Sequence, residues 1–342
     1  MKKLRILVLM HEDLVPPDTL TGYTDKEIVE WKTEYDVVST LKEAGHDVRI
    51  LGVHDDLGVI RDEIDDWQPE ITFNLLEEFH GQSLFDYHVA SYLELKRQHY
   101  TGCNPRGLML AHDKALSKKL LLFHRINAPK FAVIPIGKKP KVPARLQYPL
   151  FVKSLYEHGS YGIAQASVVY NEEKFRERVA YLHEQLGTPV IAEEYIEGRE
   201  LYVAVIGNTR LQTFPIIELN FGSMPDDSQK IATSRVKWDW KYQKKHNIEI
   251  VVTRNIPAPL QEKIFKLCKR IFRVLSLTGY ARIDLRLSES GEIYVLEANA
   301  NADIGYGEEI SLATEAAGLG YDDMLQRIIN LGLRYEPGSR IG

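Results

Sequence analysis

The segment GYARIDLRLSESGEIYVLEANAN, residues 279–301, restricts the fold more than any other stretch of this chain. Two runs of alternating apolar residues flank the turn Glu289-Ser290-Gly291-Glu292, the pattern of an antiparallel hairpin. The second run, however, carries Glu297 and Asn299 where a strand would go on burying one face. With Ser288 set opposite Ile293, counting outward pairs Asp284 with Glu297 and Arg282 with Asn299. A side-chain period of two then puts Arg282, Asp284, Glu297 and Asn299 on one face, and directly opposed residues have Cβ atoms about 5 Å apart. Two carboxylates so placed repel unless a cation lies between them. An all-oxygen set of Asp, Glu and Asn suits a hard ion, and Mg²⁺ usually takes few carboxylates together with substrate phosphates. Arg282 beside them would hold fixed positive charge against a developing oxyanion. A surface hairpin whose charges are solvated, or paired with one another, would show the same residues. The pattern alone leaves both readings open.

The chain has 342 residues, enough for two or three domains with cores of their own. Hydrophobic residues make up 44% and charged residues 27%, the balance of a soluble globular protein. A net charge of −5 argues against a nucleic-acid surface or a polybasic membrane patch. Cys103 and Cys268, far apart in sequence, form neither a disulfide framework nor a cysteine metal site, and favour a reducing cytoplasm. Met1-Lys2-Lys3 resembles the start of a signal peptide, but the apolar run 4–10 contains Arg5 and stops at His11-Glu12-Asp13. It reads as a first strand. No stretch approaches the roughly 18 apolar residues of a membrane span. The expectation is a cytoplasmic protein that engages neither nucleic acid nor membrane.

Strand and helix alternate through the first hundred residues: strands at 4–10, 46–53 and 70–76, helices at 25–44, 55–67 and 83–97. The first helix opens on the capping-box pattern Thr24-x-x-Glu27 and closes at Gly45. Short connections between alternating elements predict a parallel, helix-covered sheet. Neither G-x-G-x-x-G nor G-x-x-x-x-G-K-[ST] occurs, so the unit is Rossmann-like without a nucleotide fingerprint, and it ends near TGCNPRG at 101–107. Glu77, Glu78 and His80 follow the third strand, at the edge where such sheets bind ligands. A second unit holds a helix at 113–126, a strand at 148–155, a loop at 157–163, a helix at 172–185 and a strand at 189–196. A third starts with the strand 200–207 and includes a helix at 259–275, while 220–247 reads as a long polar loop of the kind that is often functional. The division expected is 1–106, 107–196 and 197–342.

Lys153 lies in the second unit's strand, and His158, Gly159, Ser160 and Gly162 follow in a small loop. Such a loop offers backbone N–H groups to an anion, and a nearby lysine adds a point charge. A strand lysine is as readily an edge residue, and Lys114, near a helix start, an ordinary surface cation. AEEYIEG at 192–198 crosses between two units, so Glu193, Glu194, Tyr195 and Ile196 can read a base while Glu200 accepts from ribose hydroxyls. A plain strand and turn would fit that segment equally well. Lys241 lies in the polar loop.

Taken in order, these pieces resemble the ATP-grasp superfamily, and within it the D-alanine–D-alanine ligases. YTG (100–102), DKALSKKLL (113–121), FVKSLYEHGSYGIA (151–164), EEYIEGRELYVAVIG (193–207), WKY (240–242) and the hairpin motif carry the resemblance. It implies an α/β protein of ATP-grasp fold in three units: a Rossmann-like N-terminal domain with a parallel sheet, then two α+β lobes that clamp ATP. It also implies a reaction in which ATP phosphorylates a carboxylate and an amine attacks the acyl phosphate, with release of ADP and phosphate. Carried over by position, Lys114 and Lys153 look like phosphate-binding lysines and the 158–162 loop like the lid over the phosphates. Glu193, Glu194, Tyr195 and Ile196 look like the adenine segment, and Glu200 like the ribose contact. Lys241 resembles the loop lysine that reaches the γ-phosphate. Asp284, Glu297 and Asn299 match the ligands of two Mg²⁺ ions, which Mn²⁺ can replace, and Arg282 matches the stabiliser of the tetrahedral intermediate. The family's common dimeric state makes a homodimer compatible with the resemblance.

The chain departs from that family just past Asn299. Where those ligases continue with Thr, a small polar residue, Pro and Gly, and a serine soon after, Ala300-Asn301-Ala302-Asp303-Ile304-Gly305 appears, with Glu308-Glu309 near the serine's place. In the family these groups shape the oxyanion hole and hold the carboxylate of the second D-alanine, and acids there repel it. The N-terminal glycine-rich turn is replaced by HEDLVPPDTLTGY at 11–23, with Glu27 or Glu30 standing in for the family's acid. Asp303, Glu308 and Glu309 therefore suggest a nucleophile with a cationic group: a diamine, a basic amino acid or an amine without a nearby carboxylate. Acids facing solvent at the mouth of a cleft would look the same. The function expected is an ATP-dependent carboxylate–amine ligase acting on small molecules, with an acceptor other than D-alanine. Competing readings are a genuine D-alanine–D-alanine ligase of cell-wall synthesis, a non-catalytic ATP-binding module, and another ATP-grasp chemistry such as a carboxylase. The module is disfavoured because binding ATP alone needs no oxyanion arginine.

Overall fold

The computed structural model describes residues 2–157, 159–225 and 228–338. Its strands form three sheets, each built from a contiguous part of the chain. In the first, Ile6 to Met10 of β1 (Arg5–His11) are wholly buried, as a strand covered on both faces must be. The chain continues through α1 (Asp25–Glu30), α2 (Lys32–Glu43), β2 (Asp47–Val53), α3 (Leu57–Trp67) and β3 (Ile71–Asn74). β2 and β3 flank β1, both parallel to it, which is the predicted parallel sheet. The predicted capping box is present at Thr24 and Glu27. The helix expected over 25–44 is two helices, because the backbone leaves the helical region at Trp31 (φ −126°). That turn buries the indole edge-on against Tyr23, with ring centroids 5.4 Å apart.

After α4 (Asp86–Leu95) comes a helix that the sequence analysis read as punctuation, α5 (Pro105–His112). Asn104 caps it by accepting from the Gly107 amide at 3.0 Å, and Pro105 fits the first turn, where no donor is needed. α6 (Lys114–Phe123) begins at once, its Asp113 cap accepting from the Ala115 and Leu116 amides at 3.0 and 2.8 Å. The second sheet combines β4 (Phe131–Ile134), β5 (Leu150–Ser154), β6 (Val168–Val169) and β7 (Val190–Glu194), with α7 (Glu172–Leu186) packed on it. All its pairings are antiparallel, in the order β4-β7-β5-β6.

The third sheet contains β8 (Arg199–Ile206), β9 (Gln212–Thr213) and β10 (Ile217–Asn220). Next come α8 (Ser234–Trp238), α9 (Trp240–His246), β11 (Glu249–Val252), α10 (Ala258–Val274), β12 (Tyr280–Leu287), β13 (Ile293–Ala300), α11 (Glu309–Ala316) and α12 (Tyr321–Leu333). Its order is β11-β10-β8-β12-β13, antiparallel throughout, with β9 on β8. The segment read as an irregular loop thus holds α8 and α9, capped by the side chains of Thr233 and Asp239. The first and third sheets share continuous cores: Leu7 and Leu9 cluster with Val203, Val205 and Ile283, and Ile6 and Val8 with Tyr202 and Ile329. The second sheet keeps its own, around Val152, Phe175, Val179 and Ala192. Among the described residues no helix is long and apolar enough to cross a membrane.

Candidate active site

The hairpin of β12 and β13 pairs Arg282 with Asn299 and Asp284 with Glu297, as the count outward predicts. Near the turn, though, Leu287 rather than Ser288 faces Ile293, and Leu285 faces Val295. Leu296 is the extra residue of a bulge that restores the predicted register at Asp284. Its carbonyl accepts from the buried Lys118, whose Nζ also lies 3.3 Å from Glu193 Oε1. A largely buried charge network covers the end of this ladder away from the turn. Arg282 donates through Nε and Nη2 to Asp284 Oδ1 and Oδ2 at 2.8 and 3.0 Å, and through Nη1 to Glu309 Oε2 at 2.8 Å. Asn299 Nδ2 donates to Asp284 Oδ2 at 2.9 Å, and Lys153 Nζ to Glu297 Oε2 at 3.2 Å.

Burial lifts the Asp284 carboxyl to about 6, with the Arg282 guanidinium opposing it. Burial would lift Glu309 too, but Arg282 and Lys237 outweigh it and hold that carboxyl below its ordinary value. Lys153 is likewise held above its ordinary value by Glu297 and Glu193 despite its burial, whereas burial pushes Lys114 down to about 8. Among the described residues no three of His, Cys, Asp or Glu converge closely enough to hold a metal ion by themselves. Two carboxylates and an amide on one face would hold a hard ion only if phosphate oxygens completed its shell, and that is how Mg²⁺ binds beside nucleotides. In that sense the residues fit.

A slot of about 630 Å³ lies between the second and third sheets. Phe151, Ile163, Tyr195, Ile196 and Leu296 give it apolar walls, and Lys153, Lys237, Glu200, Asp284, Arg286 and Glu297 make it polar. Glu200 is fixed by Arg286 Nη2 at 2.8 Å and by the Tyr202 hydroxyl at 2.9 Å. α8 latches the glycine loop beside the slot: Ser234 Oγ donates to the Ser160 carbonyl at 2.6 Å and Trp238 Nε1 to the Gly159 carbonyl at 3.1 Å. An apolar slot with a cationic, oxygen-rich end can take a flat base and a polyanionic tail. A wide cleft of about 2490 Å³ lies alongside, lined by Arg282, Asn299, Glu77, Glu78, Asp303, Glu308 and Glu309. Tyr202 and Lys237 line both spaces. Burial, with Asp303 and Glu309 adding, pushes Glu308 up to about 7. Glu77 is exposed to the solvent of the cleft, but the walls around it are protein.

Residues 123–330 match the family model described as D-ala D-ala ligase C-terminus. The chain belongs to the D-Ala–D-Ala ligase family. It is 28% identical over 317 residues to the uncharacterized protein y4sG of Sinorhizobium fredii, a match covering 89% of this chain and 88% of that protein. It is 27% identical over 311 residues to the D-alanine–D-alanine ligase of Desulforudis audaxviator, covering 89% and 87%. The crystal structure of the Bacillus anthracis D-alanine–D-alanine ligase complexed with ATP superposes with a TM-score of 0.74 at 21% identity, covering 97% of this chain and 98% of that one. The VanG D-Ala:D-Ser ligase of Enterococcus faecalis gives 0.72 at 19% identity, covering 97% and 100%. These likenesses establish the ATP-grasp fold. The protein is a D-Ala–D-Ala ligase-like, ATP-dependent ligase that forms carbon–nitrogen bonds.

Of the residues expected around the nucleotide of this ligase, Lys153, Ser160, Glu193, Glu194, Tyr195, Ile196 and Glu200 line the slot together with Asp284 and Glu297. Lys114 is buried and donates to the Glu157 carbonyl at 2.6 Å. Gly159 lines the cleft instead, Gly162 turns the loop at φ 73° against Leu186, and His158 lies outside the described residues. Lys241 is exposed, with its ammonium 5.6 Å from the Trp240 ring centroid, and lines neither space. Lys237 takes the inward place: Asp239 ends α8 and caps α9, so the two lysines sit on different helices. His80 is exposed and lies 3.5 Å from Asp55, away from the cleft lining. Glu309, expected to meet substrate, is engaged by Arg282 and lies 3.7 Å from Lys237 Nζ. The sequence analysis missed Arg286, although strand period two from Asp284 points to it. It also missed Lys237, for which the capping residues Thr233 and Asp239 were a usable signal. Nothing local marks Lys118 as the ligand of a bulge.

Proposed function

We propose that this ligase joins a carboxylate to an amine through an acyl phosphate formed from ATP, and that its acceptor is not D-alanine. The observation that carries the second part is the cleft around Arg282. That guanidinium is already engaged by Asp284 and Glu309, and the walls beside it present Glu77, Asp303 and Glu308. A substrate carboxylate placed there meets like charge, which specificity devices use to exclude a ligand.

In this reading the slot holds ATP, with Glu193, Glu194, Tyr195 and Ile196 along the base and Glu200 at the ribose. Lys114, Lys153 and the 158–162 loop face the phosphates, and Lys237 takes the role expected of Lys241. Asp284, Glu297 and Asn299 would hold two Mg²⁺ ions, or Mn²⁺ in their place. When bound, these ions supply neutralising charge to the phosphoryl group in transfer. Arg282 keeps positive charge fixed where the tetrahedral oxyanion develops. The division into units at 1–106, 107–196 and 197–342 belongs to the same proposal, as does a cytoplasmic setting, which the two buried free thiols favour.

The test is ADP release with ATP and Mg²⁺ against D- and L-amino acids, diamines and dipeptides, singly and in pairs. Release that requires a carboxylate and a non-alanine amine together is the expected result. D-alanine sufficing alone would overturn the acceptor assignment. Tight nucleotide binding with no release from any pair would overturn the ligase reading itself.

A further inference from the structure

A second chamber of about 840 Å³ opens off the cleft on the side of the first sheet. Glu77, Asp303 and Trp238 line both spaces, so they form the doorway between them. Four carboxylates, Glu30, Glu34, Glu77 and Asp303, line the chamber, and among the described residues no lysine, arginine or histidine does. Glu34 at its inner wall is 7% exposed. Its side chain takes no hydrogen bond from any other described residue, only from its own amide. Asp303 is fixed at the doorway by one oxygen, which accepts from Thr33 Oγ1 at 2.7 Å and from the Gly305 amide at 2.8 Å. On the cleft side, Asp86 is 3% exposed, and its Oδ1 has no hydrogen-bond partner. Its other oxygen lies 3.3 Å from His112 Nε2.

Of the four, Glu34 is buried, Asp303 half-buried, and Glu30 and Glu77 exposed. A buried carboxyl whose neighbours are other acids raises free energy unless a cation joins it. Burial, with Glu77 and Asp303 adding, pushes Glu34 up to about 8. A bare metal ion does not answer the arrangement, because no three acids among the described residues converge tightly enough to hold one. The spacing and the other walls suit something larger. Trp238 and Tyr280 add aromatic rings to the lining, a residue type that attracts ammonium and guanidinium groups, and Val29, Leu75 and Leu76 can cover an aliphatic stem.

We propose that the chamber receives an ammonium or guanidinium group carried by one of the two substrates, set back by a short aliphatic chain from the end that reacts beside Arg282 and Asn299. The inference rests on the ligase reading in taking the cleft as the place of reaction. The cation belongs either to the amine acceptor, as in a diamine, or to the carboxylate donor, as in a diamino acid. The recognition chemistry is the same in both.

The experiment is calorimetric titration of the full-length protein, without nucleotide, using 1,4-diaminobutane, L-lysine, butylamine and D-alanine as probes, followed by ADP release with the same compounds. A dication or diamino acid should bind at least about 30-fold tighter than butylamine, the span of one or two charge-assisted hydrogen bonds. Glu34→Gln and Asp303→Asn should each cost about tenfold of that preference while ATP affinity is unchanged. Two variants on different elements guard against one that fails to fold. ADP release from the diamine paired with an uncharged carboxylate assigns the cation to the acceptor, and release from lysine paired with an uncharged amine assigns it to the donor. Equal binding of butylamine and diaminobutane, or wild-type binding by both variants, overturns the proposal. ADP release from uncharged pairs with no preference for a cation likewise overturns it and leaves the ligase standing. Cation binding without ADP release from any pair has the reverse meaning.

Discussion

The hairpin shelf buries Asp284 and Glu309, the acid chamber buries Glu34, and the two treat their acids in opposite ways. On the shelf each acid has a cation: Arg282 for Asp284 and Glu309, Lys153 for Glu297. In the chamber Glu30, Glu34, Glu77 and Asp303 line one space without a basic side chain among the described residues of its walls. Burial alone therefore says little about role. Paired charges fix geometry, because Coulomb attraction offsets desolvation only while the partners stay in place. Charges left among their own kind keep their attraction available to a ligand, at a continuing cost to the fold.

Arg282→Ala should break the shelf most severely, leaving Asp284 and Glu309 buried without the guanidinium. Urea unfolding is expected to show a loss of about 3 to 5 kcal/mol, the usual result of removing one partner of a buried pair. A midpoint equal to that of the unaltered protein would mean that the shelf's pairs do not support one another. Lys237→Ala comes next. It should lower kcat/KM by about 100-fold, whereas Lys241→Ala should stay within about twofold, since only Lys237 lines slot and cleft. The reverse ranking in a steady-state ADP assay would restore Lys241 to the role first expected of it.

The chamber makes a prediction about pH. Burial pushes Glu34 up to about 8 in the folded chain and Glu308 up to about 7, both above the 4.5 of an ordinary glutamate. Between these values the folded protein holds protons that the unfolded chain has released, so stability falls as pH rises from 5 toward 8. Thermal and urea unfolding should show a loss of about 2 kcal/mol or more between roughly pH 5.5 and 8.5, with Glu34→Gln removing about half of it. A flat profile in the native sequence would show that the chamber's acids are compensated after all. Thr33→Val is expected to have the smallest effect. By freeing Asp303 from its hydroxyl donor it should weaken diaminobutane binding about threefold in the same calorimetric assay.

Much of the shelf was legible in the sequence because strand period is rigid. Arg282, Asp284, Glu297 and Asn299 share a face as the count requires, yet the count started one residue off at the turn and was rescued by the Leu296 bulge. A bulge held by a lysine nearly 180 residues away leaves no local trace. The parallel first sheet was legible from alternation, and α5 should have been, since Asn-Pro is a helix start as well as a chain breaker. The chamber was half visible. Glu77 and Asp303 were singled out and Glu30 was named as a stand-in for the family's acid, but Glu34 lay unremarked inside an expected helix, where only tertiary packing decides which acid is enclosed. The placing of Lys237 and Lys241 on separate elements was hidden for the same reason: one polar loop was read where two capped helices lie.

The shared cores have a consequence for the order in which the protein can be made. β1 buries Ile6, Val8 and Met10 in one cluster with Met324, Leu325, Ile328 and Ile329 of α12. The strand is synthesised some three hundred residues ahead of the helix. At about 10 residues per second its partner arrives on the order of half a minute later. The second sheet, with its core drawn from residues 132–192, needs nothing that has not already emerged. A nascent chain halted shortly past β7 should therefore resist protease across that sheet while its first hundred residues are still being cut. On the ribosome, the middle of this molecule is its beginning.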